Sequence, residues 1–140
     1  MRNMRNKIIF AAVFVLAGFA VGRASQPASS SKVYELRLYS AGEGKLDALN
    51  ARFRDNTDRI FKRHHMKAVG YWLPTEGEKM GNTFIYILEH PSREDAKKNW
   101  AEFNADPEWQ KVKAASEANG KLVLKVDSTF MAPTDYSPIK

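Results

Sequence analysis

Between Val33 and Ser40 the chain alternates. Tyr34, Leu36 and Leu38 fall on one side and Glu35, Arg37 and Tyr39 on the other, the period of a strand with one more polar face. The stretch AGEG at 41–44 breaks the pattern, and from Lys45 the period changes. Leu46, Leu49, Phe53, Thr57, Ile60 and His64 lie within one stripe at about 100° per residue, with Arg52, Asp55, Arg59 and Lys62 opposite. This spacing predicts a long amphipathic helix whose last turn is FKRHH. KAVGYWLP then reads as a second strand closed by Pro74, and TEGEKMGN as a loop.

NTFIYILEH, 82–90, is apolar on both faces, through Phe84, Tyr86 and Leu88 on one and Ile85 and Ile87 on the other. Such a strand belongs in the middle of a sheet, covered on both sides, and it forms a hairpin with the strand before it. Ser92 with Asp95 three residues later makes a capping-box arrangement ahead of Ala96, Trp100 and Phe103 at helical spacing. A second helical start follows, with Asp106 as cap, Pro107 at N1, and Trp109 and Val112 facing inward. After Asn119-Gly120, KLVLKVDSTFM at 121–131 is the fourth strand.

The order β-α-β-β-α-β predicts an α+β, ferredoxin-like domain, a four-stranded antiparallel sheet with two helices on one face. Two helices cover one face only, yet Ile85, Ile87, Val123 and either Tyr71 or Trp72 place apolar groups on the other. The expected cover is a second copy of the sheet, giving a homodimer that closes as a dimeric α/β barrel. The alternative is a monomer with a ligand-filled groove.

Composition changes this picture at the N-terminus. Arg2, Arg5 and Lys7 precede the uncharged run Ile8 to Val21, and Gly22-Arg23-Ala24 offers a small-x-small cleavage point, the layout of a secretory signal peptide. The expected organisation is a leader at 1–24, a solvated tether at 25–32 and one domain at 33–140. The protein is then exported, periplasmic or secreted, and associated with a membrane only if the leader stays uncleaved as an anchor. Removing Arg2, Arg5, Lys7 and Arg23 from 22 basic residues leaves 18 against 16 acids, a net of +2. The remaining charges interleave, as in Asp55 with Arg59, Asp58 with Lys62 and Glu94 with Lys98, so no one-sided basic stripe for nucleic acid exists. The sequence contains no cysteine, so the fold does without disulfides in a compartment that allows them.

The stretches VYELR-Y, RHHMKAVGYW, HPSRE-A, DPEW and STFM-PTDYSP, with G-K-L at the start of the first helix, resemble the NIPSNAP family in order from about Val33 to Pro138. The resemblance implies a ferredoxin-like domain pairing as a dimeric α/β barrel. Its members are linked in mitochondria to vesicle traffic and to tagging of damaged mitochondria through protein contacts. Wider relatives of that barrel include haem-degrading and cofactor-free monooxygenases. The resemblance brings no catalytic residues with it. The family's corner usually reads His-Gly-Met, so His65 stands where a glycine sits, at a helix end where φ > 0 is common.

Two sets of residues are candidates for chemistry. His64 is either a buried histidine satisfied by backbone partners or a proton carrier or ligand contact in a pocket between the first helix and the sheet. Its neighbour His65 points about 100° away on a helix, and with only His90 to add, a metal site is the weakest reading. Glu35, Arg37 and Tyr39 share one strand face. They form either a salt-bridged lattice inside the barrel or a polar floor for a small ligand, on which Arg37 holds an anion and Tyr39 donates a hydrogen bond. Tyr71, Trp72 and Trp100 wall such a pocket or serve as core.

No phosphate loop, nucleophile elbow or paired-carboxylate motif is present, and no cofactor is called for. The leading reading is a dimeric binding or interaction module for a small hydrophobic or anionic ligand or a protein partner. A small monooxygenase-like enzyme and a haem or hydrophobic-metabolite carrier using His64 or His90 are the alternatives.

Overall fold

The structure is a computed structural model that describes residues 32–140. The expected leader and most of the tether lie outside the described residues.

Strand β1, Val33–Ala41, leads into α1, Leu46–Arg52, which continues through a π-helical turn at Phe53–Thr57 into α2, Asp58–Arg63. Strands β2, Lys67–Trp72, and β3, Thr83–His90, follow as an antiparallel hairpin. Helices α3, Arg93–Ala105, and α4, Pro107–Ser116, meet at Asp106, and β4, Val123–Met131, completes the sheet. The sheet order is β2-β3-β1-β4, antiparallel throughout, with β1 and β3 central.

The caps read from sequence are formed. Ser92 Oγ accepts from the Asp95 amide at 3.0 Å, and Asp106 accepts from the amides of Glu108 and Trp109. Asp106 also accepts from Arg63 and lies 2.6 Å from His64 Nε2, so one carboxylate ties the end of α2 to the start of α4.

Register decides which face each residue takes. Glu35 lies opposite Leu88, Arg37 opposite Tyr86 and Tyr39 opposite Phe84. Leu88, Tyr86 and Phe84 are core residues under the helices, so the polar face of β1 is the helix-covered face, and Glu35 and Arg37 do not point to the inside of a barrel closed on the other face. Leu36 and Leu38 pair with Ile87 and Ile85 on the opposite, outer face, with Trp72 beside Ile85. Trp72 is therefore the outer aromatic, and Tyr71 packs inside against Phe53. Val123, expected on the outer face, packs against the core instead, because the β1–β4 register shifts between Ser40 and Ala41. The segment after Met131 runs back over the outer face, where Pro133, Thr134 and Ile139 border a groove with Tyr34, Val69 and Ile87.

The π-helical turn corrects the predicted helix face. Its extra residue brings Arg52 inward beside Phe53, and Arg52 is 5% exposed where the pattern put it in solvent. Arg52 donates to Glu117 at 3.1 Å and to Ser116 of α4, with its guanidinium over Trp109. Thr57 Oγ1 donates to the Arg52 carbonyl at 3.2 Å across the widened turn. Phe53 meets the rings of Tyr39, Phe61, Tyr71, Phe84 and Tyr86. Of the three expected helical ion pairs, Asp58–Lys62 forms at 2.7 Å. Asp55 takes Arg54, Arg59 takes Glu108 and Lys98 takes Glu102, because α4 and the next turn offer nearer partners.

His65 has φ 57°, in the left-handed region, just past the end of α2. A non-glycine residue there costs about 1–2 kcal/mol, partly offset in glycine by its greater freedom when unfolded. The variant His65→Gly is expected to gain on the order of 1 kcal/mol in thermal or urea unfolding, and a lower Tm would refute this account of the corner.

Candidate functional site

The polar face of β1 carries a buried ionic network built on Glu35, which is 1% exposed. Its Oε1 accepts from Arg37 Nη1 at 2.6 Å and from Ser128 Oγ of β4 at 2.7 Å. Its Oε2 accepts from Trp100 Nε1 of α3 at 2.7 Å and lies 3.1 Å from Nε2 of the fully buried His90. Burial pushes the Glu35 carboxyl up, but the hydrogen bonds from His90, Ser128, Trp100 and Arg37 outweigh it and hold it down at about 2, against 4.5 ordinarily. Glu35 is therefore an anion under the helices, and Arg37 is its counter-ion.

Arg37 extends the network outward. Its Nη2 donates to Tyr39 Oη at 3.3 Å, its guanidinium stacks 4.2 Å from the centre of the Trp100 ring, and Tyr86 Oη donates to Tyr39 Oη at 2.7 Å. Burial, with Tyr39 next, pushes the Tyr86 phenol well above its usual value, so Tyr86 is a neutral donor. Three buried nitrogens, Arg37 Nε, Arg52 Nε and His90 Nδ1, have no hydrogen-bond partner among the described residues.

A cleft of about 450 Å³ opens beside this network, between the sheet and the helices α1, α3 and α4. Arg37, Arg52, Lys113 and Lys121 bring four cations to its lining against the single acid Glu117, which is bound to Arg52. Tyr39, Trp100, Phe103 and Trp109 supply its aromatic walls. On the far side of the Arg37–Trp100 stack lies a second cavity of about 610 Å³, bordered by Glu35, Arg93, Ser128 and Phe130. The stack is the partition between the two.

The structure thus gathers Glu35, Arg37, Tyr39, Trp100 and His90 and leaves out the other three candidates. His64 takes the Asp106 side chain as its partner, where backbone groups were expected, and lines neither cavity. Tyr71 donates to Asp58 at 2.8 Å, and Trp72 stands on the outer face with its ring against Gly70. Sequence reasoning missed Arg52, Lys113, Lys121, Ser128 and Tyr86 as parts of the site. Lys113 and Lys121 look like any solvated lysine until α4 and the turn into β4 are brought to the cleft. No group of three His, Cys, Asp or Glu side chains that could hold a metal ion exists among the described residues. No helix among them is long and apolar enough to cross a membrane.

A four-stranded antiparallel sheet in this order, with its helices on one face, is a ferredoxin-like α+β fold. Solved structures agree. A NIPSNAP family protein of unknown function from Agrobacterium tumefaciens matches with a TM-score of 0.69 at 25% identity, over 79% of this chain and 96% of that one. A NIPSNAP-like domain protein from Burkholderia xenovorans matches at 0.69 and 19%, over 78% and 90%. A monooxygenase from Streptomyces coelicolor, in complex with nanaomycin D, shares the fold at 0.54 and 14%, over 77% and 92%. No curated protein matches. The NIPSNAP family model covers residues 34–138, and the chain belongs to the NIPSNAP family.

Ionisation of Glu35 stabilises the fold, since its folded pKa lies below the unfolded value. That contribution is complete above about 4.5 and is lost as pH falls toward about 2. The variant Glu35→Gln leaves the half-buried Arg37 without a counter-ion and is expected to lose about 3 kcal/mol at pH 7. The gap to the unaltered protein should narrow between pH 4.5 and 2 in urea titrations. A gap that does not change with pH would show that the charge of Glu35 is not what matters.

Proposed function

We propose that this domain is a binding module that takes a small planar anion into the cleft between the sheet and α3–α4. The observation that carries the reading is the lining itself, with Arg37 and Arg52 held by Glu35 and Glu117, Lys113 and Lys121 as further cations, and four aromatic side chains. Aromatic walls bind a flat ring through burial and stacking, while cations at the edge select negative charge and speed its arrival.

Binding is favoured over catalysis by what the lining lacks. It contains no histidine, serine, threonine or cysteine, its one carboxylate, Glu117, is engaged by Arg52, and Tyr39, Lys113 and Lys121 remain as donors to a bound anion. The carrier reading loses its ligands as well, because His90 is closed over and His64 is engaged by Asp106. The likeness to the Streptomyces monooxygenase is one of fold, and it supports only the view that this scaffold can accommodate a small molecule.

The module acts, on this reading, as an exported homodimer. The leader pattern at 1–24 supports export. The outer face supports pairing: Leu36, Leu38, Ile85 and Ile87 are partly exposed there, and Trp72 is 47% exposed. An apolar sheet face of this kind matches a second copy of itself across a two-fold axis. In sedimentation the protein should run as a dimer and Leu38→Arg as a monomer, whereas a monomeric unaltered protein would refute the pairing.

The cleft is tested with 1-anilinonaphthalene-8-sulfonate as the probe. It should quench Trp100 and Trp109 in a Trp72→Phe background, and Lys113→Ala with Lys121→Ala should raise its Kd about tenfold and flatten its salt dependence. Binding that survives the lysine changes but is lost in Leu38→Arg would place the probe on the outer face and overturn the reading.

A further inference from the structure

The hydroxyl of Tyr39 is constrained from two sides. Arg37 Nη2 lies 3.3 Å from it and Tyr86 Oη 2.7 Å. A guanidinium can only donate, so Arg37 occupies one lone pair of the Tyr39 oxygen. Tyr86 is 0% exposed, and Tyr39 is its hydroxyl's hydrogen-bond partner. Were Tyr39 to donate to Tyr86, the Tyr86 proton would be buried without an acceptor, at a cost of about 1–3 kcal/mol. Tyr86 therefore donates, and both lone pairs of Tyr39 are taken. Its own proton is left over, and Tyr39 borders the cleft.

Arg37 is in a similar position. Of its five N–H groups, one on Nη1 is held by Glu35 and one on Nη2 by Tyr39, and Glu35 holds the guanidinium over the Trp100 ring. Arg37 Nε is buried without a partner, but Nη2, which holds Tyr39, carries a second N–H beside the Tyr39 hydroxyl, and both residues line the cleft. Lys113 and Lys121, by contrast, are exposed and supply field without fixed direction.

We infer that Tyr39 and Arg37 form a preorganised two-donor seat for a single oxyanion attached to a flat ring, so the cleft selects phenolate, enolate or aromatic carboxylate ligands. This rests on the cleft-binding reading and adds to it the chemical group recognised and its place. Tyr39 cannot accept there, so a ligand offering only donors finds no partner on the floor. Tyr86 acts through Tyr39 as a positioning residue, since it is Tyr86 that turns the Tyr39 proton outward.

The test uses 2-naphthol, whose oxygen reports its own ionisation by absorbance. The charged groups facing it in the cleft are Arg37, Arg52, Lys113, Glu117 and Lys121. Bound to the purified protein, the probe should titrate at least about one unit below free naphthol, because fixed donors stabilise the naphtholate. Tyr39→Phe should return at least half of that shift. Tyr71→Phe, which removes a hydroxyl from the same aromatic cluster but outside the cleft, should titrate like the unaltered protein. Lys113→Ala with Lys121→Ala should weaken binding while the bound probe keeps most of its shift, which tests the seat even if Tyr39→Phe fails to fold. An unshifted bound probe, a Tyr39→Phe protein that titrates like the original, or a shift lost with the lysines would overturn the seat and leave the cleft standing. Failure of the unaltered protein to bind both 2-naphthol and the anilinonaphthalene sulfonate would overturn both.

Discussion

A carboxylate placed beneath two helices is stable as an anion only if protein donors replace the water it gave up. Glu35 has four such partners, one each from β1, β3, α3 and β4: Arg37, His90, Trp100 and Ser128. The carboxylate thereby joins the sheet's two central strands and an edge strand to the helix that covers them. Arg37 lies against Trp100 because Glu35 holds it there, Tyr39 is addressed by Arg37, and the cleft takes its floor from both. Without that charge, the polar face of β1 would have no reason to lie on the covered side of the sheet.

This inversion explains the division of the molecule into two working faces. The helix-covered face of β1 is polar and borders the cavities, while its apolar residues, Leu36 and Leu38, look outward with Ile85 and Ile87. A domain that put only apolar groups under its helices would have filled the cleft with side chains and left no directed donors. The same arrangement leaves Leu36 and Leu38 as the apolar centre of the outer face of β1, with Ser40 and the charged Lys125 and Asp127 of β4 at its edge. The Arg37–Trp100 stack lets one pair of side chains serve as core, partition and floor at once.

The order of elements was legible because each carries a strong local signal: alternation in β1, the Ser92 and Asp106 caps, and the two-sided apolar run of β3. Glu35, Arg37 and Tyr39 were legible as one face, since period two places them together whatever lies above. Which side that face takes was not legible, because alternation is symmetric until pairing fixes it. Arg52 was misplaced for a related reason. A stripe at 100° per residue assumes a regular helix, and the π-helical turn at Phe53–Thr57 rotates everything before it relative to everything after. Lys113, Lys121 and Ser128 reach the site only through contacts distant in sequence, which no local pattern encodes. His64 drew notice as one of only three histidines, yet its surroundings make it a tie between α2 and the Asp106 cap.

The account depends on Glu35 being an anion held by fixed donors, and its ionisation can be observed directly. Carbon-13 NMR titration of the side-chain carboxyl in the folded protein, assigned by comparison with Glu35→Gln, measures it at one atom. The account predicts a carboxylate that remains ionised down to a midpoint near 2, and a midpoint at or above the ordinary 4.5 would contradict it.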